Sequence, residues 1–145
     1  MVGKAAQPMN RQRMMLGMAI VLAAAGWVGC RADSPLTEVQ RVSSGGLEIA
    51  LLSARDALHL GKDTFTIEFR SASDRNLVDV GAVKVAANMP MPGMPMFATI
   101  DVQPGSAKGR YTATSDFSMA GTWRLTLEWD GPAGRGTVTF SENVQ

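Results

Sequence analysis

The fold of this chain is decided by the stretch Trp123-Arg124-Leu125-Thr126-Leu127-Glu128-Trp129, in which large apolar and polar side chains alternate strictly. Alternation with a period of two is typical of a β-strand with one buried face, because successive side chains point to opposite sides of the strand. A helix would scatter the four apolar side chains around its circumference. We therefore predict a strand over residues 123–129 whose apolar side chains lie in the core.

The same alternation recurs in six other short segments, namely residues 47–51, 65–69, 83–85, 100–102, 111–113 and 138–140. Turn-forming residues separate several of them, at 61–63, 73–74, 104–105 and 130–132. Short strands at this spacing are typical of an all-β fold, and of an immunoglobulin-like antiparallel β-sandwich of about seven strands. We predict that this domain covers residues 46–141 and that residues 142–145 form a C-terminal tail.

The amino terminus has the composition of a secretory signal. Lys4, Arg11 and Arg13 precede a largely apolar run over residues 14–29. A basic region followed by a short apolar region predicts a signal peptide over residues 1–29. The run is short for a membrane-spanning helix, which needs about 20 apolar residues.

Cys30, the only cysteine in the chain, follows Val28-Gly29 in a pattern that resembles a bacterial lipobox, although Trp27 stands where leucine is usual. We predict lipid attachment at Cys30, which would anchor the protein to a membrane of the cell envelope, facing the periplasm. The alternative is an ordinary signal peptide whose cysteine falls by chance near its end. Residues 31–46 are polar and end in Ser-Ser-Gly-Gly, which predicts a flexible tether over residues 30–45.

The charge of the predicted mature chain argues against nucleic acid as a partner. After cleavage before Cys30 it carries 11 Lys and Arg against 13 Asp and Glu. Nucleic-acid binding requires clustered positive charge, and this chain has none.

The second distinctive stretch is Asn-Met-Pro-Met-Pro-Gly-Met-Pro-Met at residues 88–96, which holds four of the five methionines that follow Cys30. Its three prolines exclude a helix and a central strand, so we predict a stiff loop with outward-pointing side chains. Thioether sulfur is a soft ligand that favours Cu(I) over harder cations. The candidate ligands in this stretch are Met89, Met91, Met94 and Met96.

The sandwich prediction adds two candidates. In an antiparallel sandwich, alternate connections emerge at the same end. The connections after the first, third and fifth predicted strands, at residues 54–62, 88–96 and 116–120, therefore bring His59, the methionine loop and Met119 to one end. Met119 is the fifth candidate ligand, and packing at the strand end is its alternative role. His59 is a more remote candidate, because an ordinary loop histidine is the more common explanation. The ring of Trp123 could cover a cation, but its strict alternation favours packing in the core.

Three motifs occur in order along the predicted domain: Val83-x-Val85 leading into Met89-Pro90-Met91, then Gly109-Arg110-Tyr111, then Phe117-Ser118-Met119-Ala120-Gly121-x-Trp123-x-Leu125. Together they resemble the YtkA-like domain and its FixH-like relatives. The resemblance implies an immunoglobulin-like β domain outside the cytoplasmic membrane, of a kind found in lipoproteins and near metal-efflux and copper-handling components. Many members carry a histidine in the methionine loop, whereas this chain has Pro92-Gly93-Met94, a difference that favours Cu(I) bound by thioethers alone.

Enzymatic activity is not expected. With a single histidine and a single cysteine, the chain lacks spare members for a nucleophile–base pair. Tyr111 resembles the tyrosine that ties down a sandwich corner through its hydroxyl group, which is a structural role.

Two functions are compatible with these residues. The first is a membrane-anchored envelope lipoprotein that binds Cu(I), with no other cofactor, as an accessory or chaperone for a copper-efflux or oxidase-assembly partner. The alternative is a metal-free interaction module of a membrane complex that uses the same loop as an apolar contact surface.

Overall fold

Two antiparallel β-sheets pack face to face in the computed structural model, which describes residues 34–145. These residues form nine strands, with no helix among them: β1 (Thr37–Ser44), β2 (Leu47–Ser53), β3 (Gly61–Ser71), β4 (Ala82–Met89), β5 (Met96–Ala98), β6 (Ile100–Pro104), β7 (Arg110–Phe117), β8 (Gly121–Gly131) and β9 (Gly134–Val144). The predicted all-β sandwich is confirmed.

The first sheet has the strand order β1-β2-β3-β7-β6, and the second has the order β5-β4-β8-β9. Strands β5 and β6 are separated only by Thr99, where the chain crosses from the second sheet to the first. Strand β8 lies in the interior of its sheet, with β4 on one side and β9 on the other. It is also the strand with the strictest alternation in the sequence.

The core lies between the sheets and is built from the side chains that alternate inward. In β8 the apolar side chains are buried and the residues between them are exposed or half-buried. The ring of Trp129 packs edge-on against Phe69 of the facing sheet, with ring centroids 5.4 Å apart. Burying one large apolar side chain contributes about 1.5–3 kcal/mol to stability, so this face accounts for much of what holds the two sheets together.

All seven predicted strand segments lie within observed strands, and two strands, β1 and β5, were not predicted. The predicted flexible tether at residues 30–45 is wrong for Thr37–Ser44, which pair with β2 as strand β1. A bulge between Glu38 and Gln40 interrupts the alternation of β1. For this reason Val39 and Val42, which both pack against the core, stand three residues apart and show no period of two.

The predicted C-terminal tail is also wrong, because β9 continues to Val144. Glu142 and Val144 are both buried and continue the inward face that includes Phe140. The predicted signal peptide and the lipidation candidate Cys30 lie outside the described residues. In residues 34–145 there is no helix of the length and apolar character needed to cross a membrane.

Strand registers show which loops share an end of the sandwich. Gly61 pairs with Phe117, so the β2–β3 and β7–β8 connections lie at the same end. The β4–β5 connection lies there too, because Asn88 at the end of β4 pairs with Arg124 near the start of β8. We call this end the methionine end of the domain. After β3 and outside the named strands, Leu77 forms an isolated bridge to Arg70.

Candidate functional site

The methionine run forms the turn of the β4–β5 hairpin at one end of the sandwich. Met89 at the end of β4 pairs with Met96 at the start of β5. The next two positions, Pro90 and Pro95, would be partners if this register continued, and neither has a backbone N–H to donate. The regular ladder therefore stops here, and the hairpin closes over residues 90–95.

The tip of the hairpin is a tight turn whose geometry is set by its residues. The backbone N–H of Met94 donates to the carbonyl oxygen of Met91 at 3.4 Å. Between them lie Pro92 and then Gly93, whose φ is 79°. Proline followed by a glycine with positive φ is the signature of a type II turn. Met91 and Met94 therefore occupy the two corners of one turn, facing each other across the hairpin.

The four methionines differ sharply in exposure. Met94 is 70% exposed and Met91 is 39% exposed, whereas Met96 is half-buried and Met89 is only 8% exposed. The prediction that all four point outward is therefore wrong for Met89. Its Cε atom lies only 3.1 Å from the position that a Cβ atom on Gly121 would occupy, so its side chain packs over the start of β8.

Met119 lies in the β7–β8 turn at the same end and is 42% exposed. The indole Nε1 of Trp123 donates to the Met119 carbonyl oxygen at 3.0 Å, which fixes the backbone of this turn. The Trp123 ring is fully buried beside Phe117, with centroids 5.1 Å apart. Core packing, the interpretation favoured by the sequence, is therefore the role of Trp123, and its ring faces cannot cover a cation.

The hairpin tip and the Met119 turn are neighbours. Strands β4 and β8 pair without a break from Ala82 opposite Asp130 to Asn88 opposite Arg124. Extending this register by three residues places Met91 beside Gly121, two residues after Met119. This register puts the hairpin tip, with Met91 and Met94, and the turn that holds Met119 at the same end of the domain near the start of β8, with Met96 at the base of the hairpin.

His59 shares this end of the domain but lies away from the hairpin. The residue before it, Leu58, bridges to Val144 on β9, so β9 and β8 stand between His59 and the hairpin. Three strand-to-strand spacings of about 4.8 Å, from the hairpin to β8, from β8 to β9 and from β9 to Leu58, separate His59 from the hairpin by roughly 14 Å. The ring Nδ1 lies 3.1 Å from the Ala57 carbonyl oxygen and 3.6 Å from Asp63 Oδ2. His59 therefore belongs to the β2–β3 connection.

Other metal-binding side chains do not cluster in this domain. Within residues 34–145, no three His, Cys, Asp or Glu residues are placed so that they could together hold a metal ion. The candidate site consists of thioethers.

Comparison with known proteins identifies the family. The model of the YtkA-like family matches residues 41–128, which is more than half of the chain. This chain belongs to the YtkA-like family. The match begins inside β1 and ends in β8, and it includes the hairpin and the Met119 turn.

Among solved structures, this YtkA-like protein is similar to FetP of the uropathogenic E. coli strain F11, crystallised as isolated after expression in the E. coli periplasm. The two chains are 11% identical, the alignment covers 77% of this chain and 97% of FetP, and the TM-score is 0.45. No curated protein matches this chain.

At the opposite end of the YtkA-like domain, Tyr111 has the structural position expected from the sequence. Its hydroxyl group donates to the carbonyl oxygen of Gly81 at 2.8 Å and so ties β7 to the chain entering β4. Burial, and secondarily the nearby negative charge of Asp79, raise the pKa of the Tyr111 hydroxyl, which keeps it protonated as a donor.

Sequence reasoning missed two residues at the methionine end of this YtkA-like protein. Phe97 follows Met96 in β5, pairs with Asn88 and is 76% exposed. Glu142 is buried opposite Trp123, its Oε1 atom has no hydrogen-bond partner, and burial raises the pKa of its carboxyl group. The alternation of Glu142 with Phe140 and Val144 was a signal that could have revealed its inward position.

Proposed function

We propose that this YtkA-like protein binds Cu(I) at the tip of its methionine hairpin and acts as an accessory or chaperone in copper handling. One observation supports the proposal most directly. Met91 and Met94 are exposed at the two corners of a single turn, whose shape is set by Pro92 and Gly93. A rigid turn holds two thioethers together at little entropic cost, because proline already restricts the backbone.

The chemistry of these methionines suits a soft monovalent cation. In this proposal Met91 and Met94 supply two sulfur ligands, and Met96 or Met119 supplies a third. Thioethers are neutral, so this set favours Cu(I) over Mg²⁺ or Ca²⁺, which require oxygen ligands. A site without ligand charge binds Cu(I) less tightly than a thiolate site would, and this suits a protein that passes copper on. Met89 is left out of the set because it is buried.

The proposed setting is the cell envelope. We propose that residues 1–29 are removed as a signal peptide and that a lipid on Cys30 anchors the domain on the periplasmic side. The recipient of copper would be a membrane protein of an efflux or oxidase-assembly system. In this proposal the domain has no enzymatic activity of its own.

Competition with a colorimetric Cu(I) chelator tests the proposal. We expect the purified protein to withdraw one equivalent of Cu(I) from the chelator, and the double variant Met91→Leu plus Met94→Leu to lose this ability. Leucine keeps the apolar character and approximate volume of methionine, so the fold is retained. Met89→Leu is the matched control, since the same change at a buried position of the same hairpin leaves Cu(I) binding intact.

Equal Cu(I) affinity of the double leucine variant and the wild type would contradict the proposed site. So would the absence of Cu(I) binding by the wild type. A pull-down from membranes tests the metal-free alternative. If the wild type binds no Cu(I) but pulls down a membrane protein, and the double variant Met91→Asp plus Met94→Asp does not pull it down, the metal-free interaction function replaces the copper function.

A further inference from the structure

The large apolar side chains left exposed on this domain all lie at one end of it. In residues 34–145 there are six of them, contributed by four segments of the chain: Leu36, Leu60, Met91, Met94, Phe97 and Met119. Three of them, Met91, Met94 and Met119, are candidate copper ligands, but Leu36, Leu60 and Phe97 carry no ligand atom. Their exposure therefore needs another explanation.

Strand pairing assigns these three residues to the methionine end. Leu36 immediately precedes Thr37, which pairs with Ser53 at the end of β2. The backbone N–H of Leu60 donates to the carbonyl oxygen of Gln145, beyond the last residue of β9. Phe97 pairs with Asn88, one residue from the end of β4. Each apolar side chain thus projects from a different loop or strand end around the same rim.

The opposite end has a different character. It is formed by the glycine turn at Gly45-Gly46, by the turn after β3 and by the β6–β7 and β8–β9 connections. Its exposed side chains include Asp74, Arg75 and Lys108. Within the described residues, no large apolar side chain is exposed at that end.

The chain enters the domain at the apolar end. Because β1 begins at Thr37, only residues 31–36 separate it from Cys30. A fully extended chain advances at most about 3.6 Å per residue, so a segment of this length spans at most about 25 Å. A lipid on Cys30, as proposed above, would hold the apolar end within reach of the bilayer, and the inference rests on that part of the proposed function.

We propose that the methionine end docks on the surface of a lipid bilayer, with the side chains of Leu60, Met94 and Phe97 entering the boundary between headgroups and acyl chains. Interfacial side chains of this kind reach about 5–10 Å into the membrane. Docking would orient the domain and would place the hairpin at the membrane surface, where a membrane partner could reach it.

A bilayer fits these residues better than a second copy of the chain. The six side chains project from four separate segments, namely Leu36, Leu60, the β4–β5 hairpin and the Met119 turn, as is suitable for insertion among lipids. A dimer interface would instead require a continuous face, and the outward face of β8 next to this end carries Thr122, Arg124 and Thr126. The inference does not depend on copper, because three of the six residues have no sulfur.

Lipid quenching of a fluorescent probe tests the orientation. The full-length protein is reconstituted in vesicles of phosphatidylcholine and phosphatidylglycerol without copper, and an environment-sensitive fluorescent amino acid replaces Phe97. The control carries the same probe in place of Lys108, which is exposed at the opposite end. We expect brominated acyl chains to quench the probe at 97 several-fold more than the probe at 108.

Equal quenching of the two probes, or no quenching of either, would overturn the proposal. Contact between probes at 97 in different copies, without lipid quenching, would assign this end to a second copy and would also overturn it. As a second measurement, Leu36→Ser plus Leu60→Ser, checked for folding by circular dichroism, should lower the quenching at 97. Undiminished quenching would show that these side chains do not dock. Loss of Cu(I) binding in the chelator assay has no bearing on any of these outcomes.

Discussion

Two neighbouring regions of the second sheet place methionine in opposite environments. The inward face of β4 and β8 ends at Met89, which is buried against the start of β8. Two residues further along the chain, Met91 stands at the corner of an exposed turn, opposite Met94. The residue type is the same and the backbone connects them directly. The difference shows that position relative to the facing sheet decides whether a methionine stabilises the fold or remains free to bind.

The boundary between the two regions lies at the prolines. Pro90 and Pro95 follow and precede the last paired residues of β4 and β5, and the side chains at the tip of the hairpin are exposed. Truncating a buried apolar side chain lowers the free energy of unfolding of the protein, whereas truncating an exposed one has little effect. Substitutions on the two sides of the boundary should therefore differ clearly in their effect on stability.

The largest effect is expected on the buried side, at Trp123. Truncation by Trp123→Ala removes a fully buried ring and the hydrogen bond to the Met119 carbonyl oxygen. We expect the free energy of unfolding to fall by about 3–5 kcal/mol, measured by guanidinium denaturation. Phe97→Ala, which truncates an exposed ring at the same end, is the control and should change stability by less than about 0.5 kcal/mol. Similar decreases in the free energy of unfolding of Trp123→Ala and Phe97→Ala would contradict the distinction between the buried and the exposed region.

The next effect compares the methionines directly. Met89→Ala should lower the free energy of unfolding by about 2–5 kcal/mol because it leaves a cavity above Gly121. Met91→Ala, an identical change two residues away, should stay within about 0.5 kcal/mol. Urea denaturation of both variants measures the difference. A loss at Met91 as large as that at Met89 would mean that the tip is packed and not displayed.

A smaller effect on stability is expected at Gly93, where a substitution changes the backbone conformation and does not affect a buried side chain. No atom lies within 4 Å of the position that a Cβ would occupy, so Gly93→Ala causes no clash. Its φ of 79° nevertheless costs a residue with a side chain about 1–2 kcal/mol. We expect a modest fall in melting temperature together with weaker Cu(I) binding, measured by calorimetry and by chelator competition. Unchanged Cu(I) affinity would show that the turn shape does not position the sulfurs.

The smallest effect is expected at Glu142, a buried ionisable residue of the second sheet. This effect on stability depends on pH. Burial raises the pKa of its carboxyl group above the ordinary value of 4.5. The folded protein therefore holds this proton more tightly than the unfolded chain, and the wild type loses stability as pH rises above 4.5. Glu142→Gln cannot ionise, so it should be more stable than the wild type at mildly alkaline pH.

Unfolding free energies of the wild type and Glu142→Gln, compared at a pH below 4.5 and at mildly alkaline pH, measure this dependence. We expect the advantage of the variant to grow with pH. A constant difference across that range would show that Glu142 is not held in its neutral form by burial.

Much of the architecture followed from alternation. The period of two in β8 correctly assigned its buried face, and weaker versions located six other strands. Strand β1 was not predicted because its bulge interrupts the alternation of side chains. Strand β5 was not predicted because three residues are too few to show a period of two. The end of β9 was taken for a tail, although Phe140, Glu142 and Val144 alternate inward.

For the candidate site, the sequence by itself determined which residues are soft ligands and that the prolines must break the ladder, since both are properties of the side chains and the local backbone. It also determined that the hairpin and the Met119 turn lie at one end, because strand order fixes which connections share an end. Only the tertiary structure decided that Met89 is buried, that His59 lies across two strands from the hairpin, and that six apolar side chains surround one rim. Those facts depend on which strands pair and which side chains pack together in three dimensions, and local sequence carries no record of those contacts.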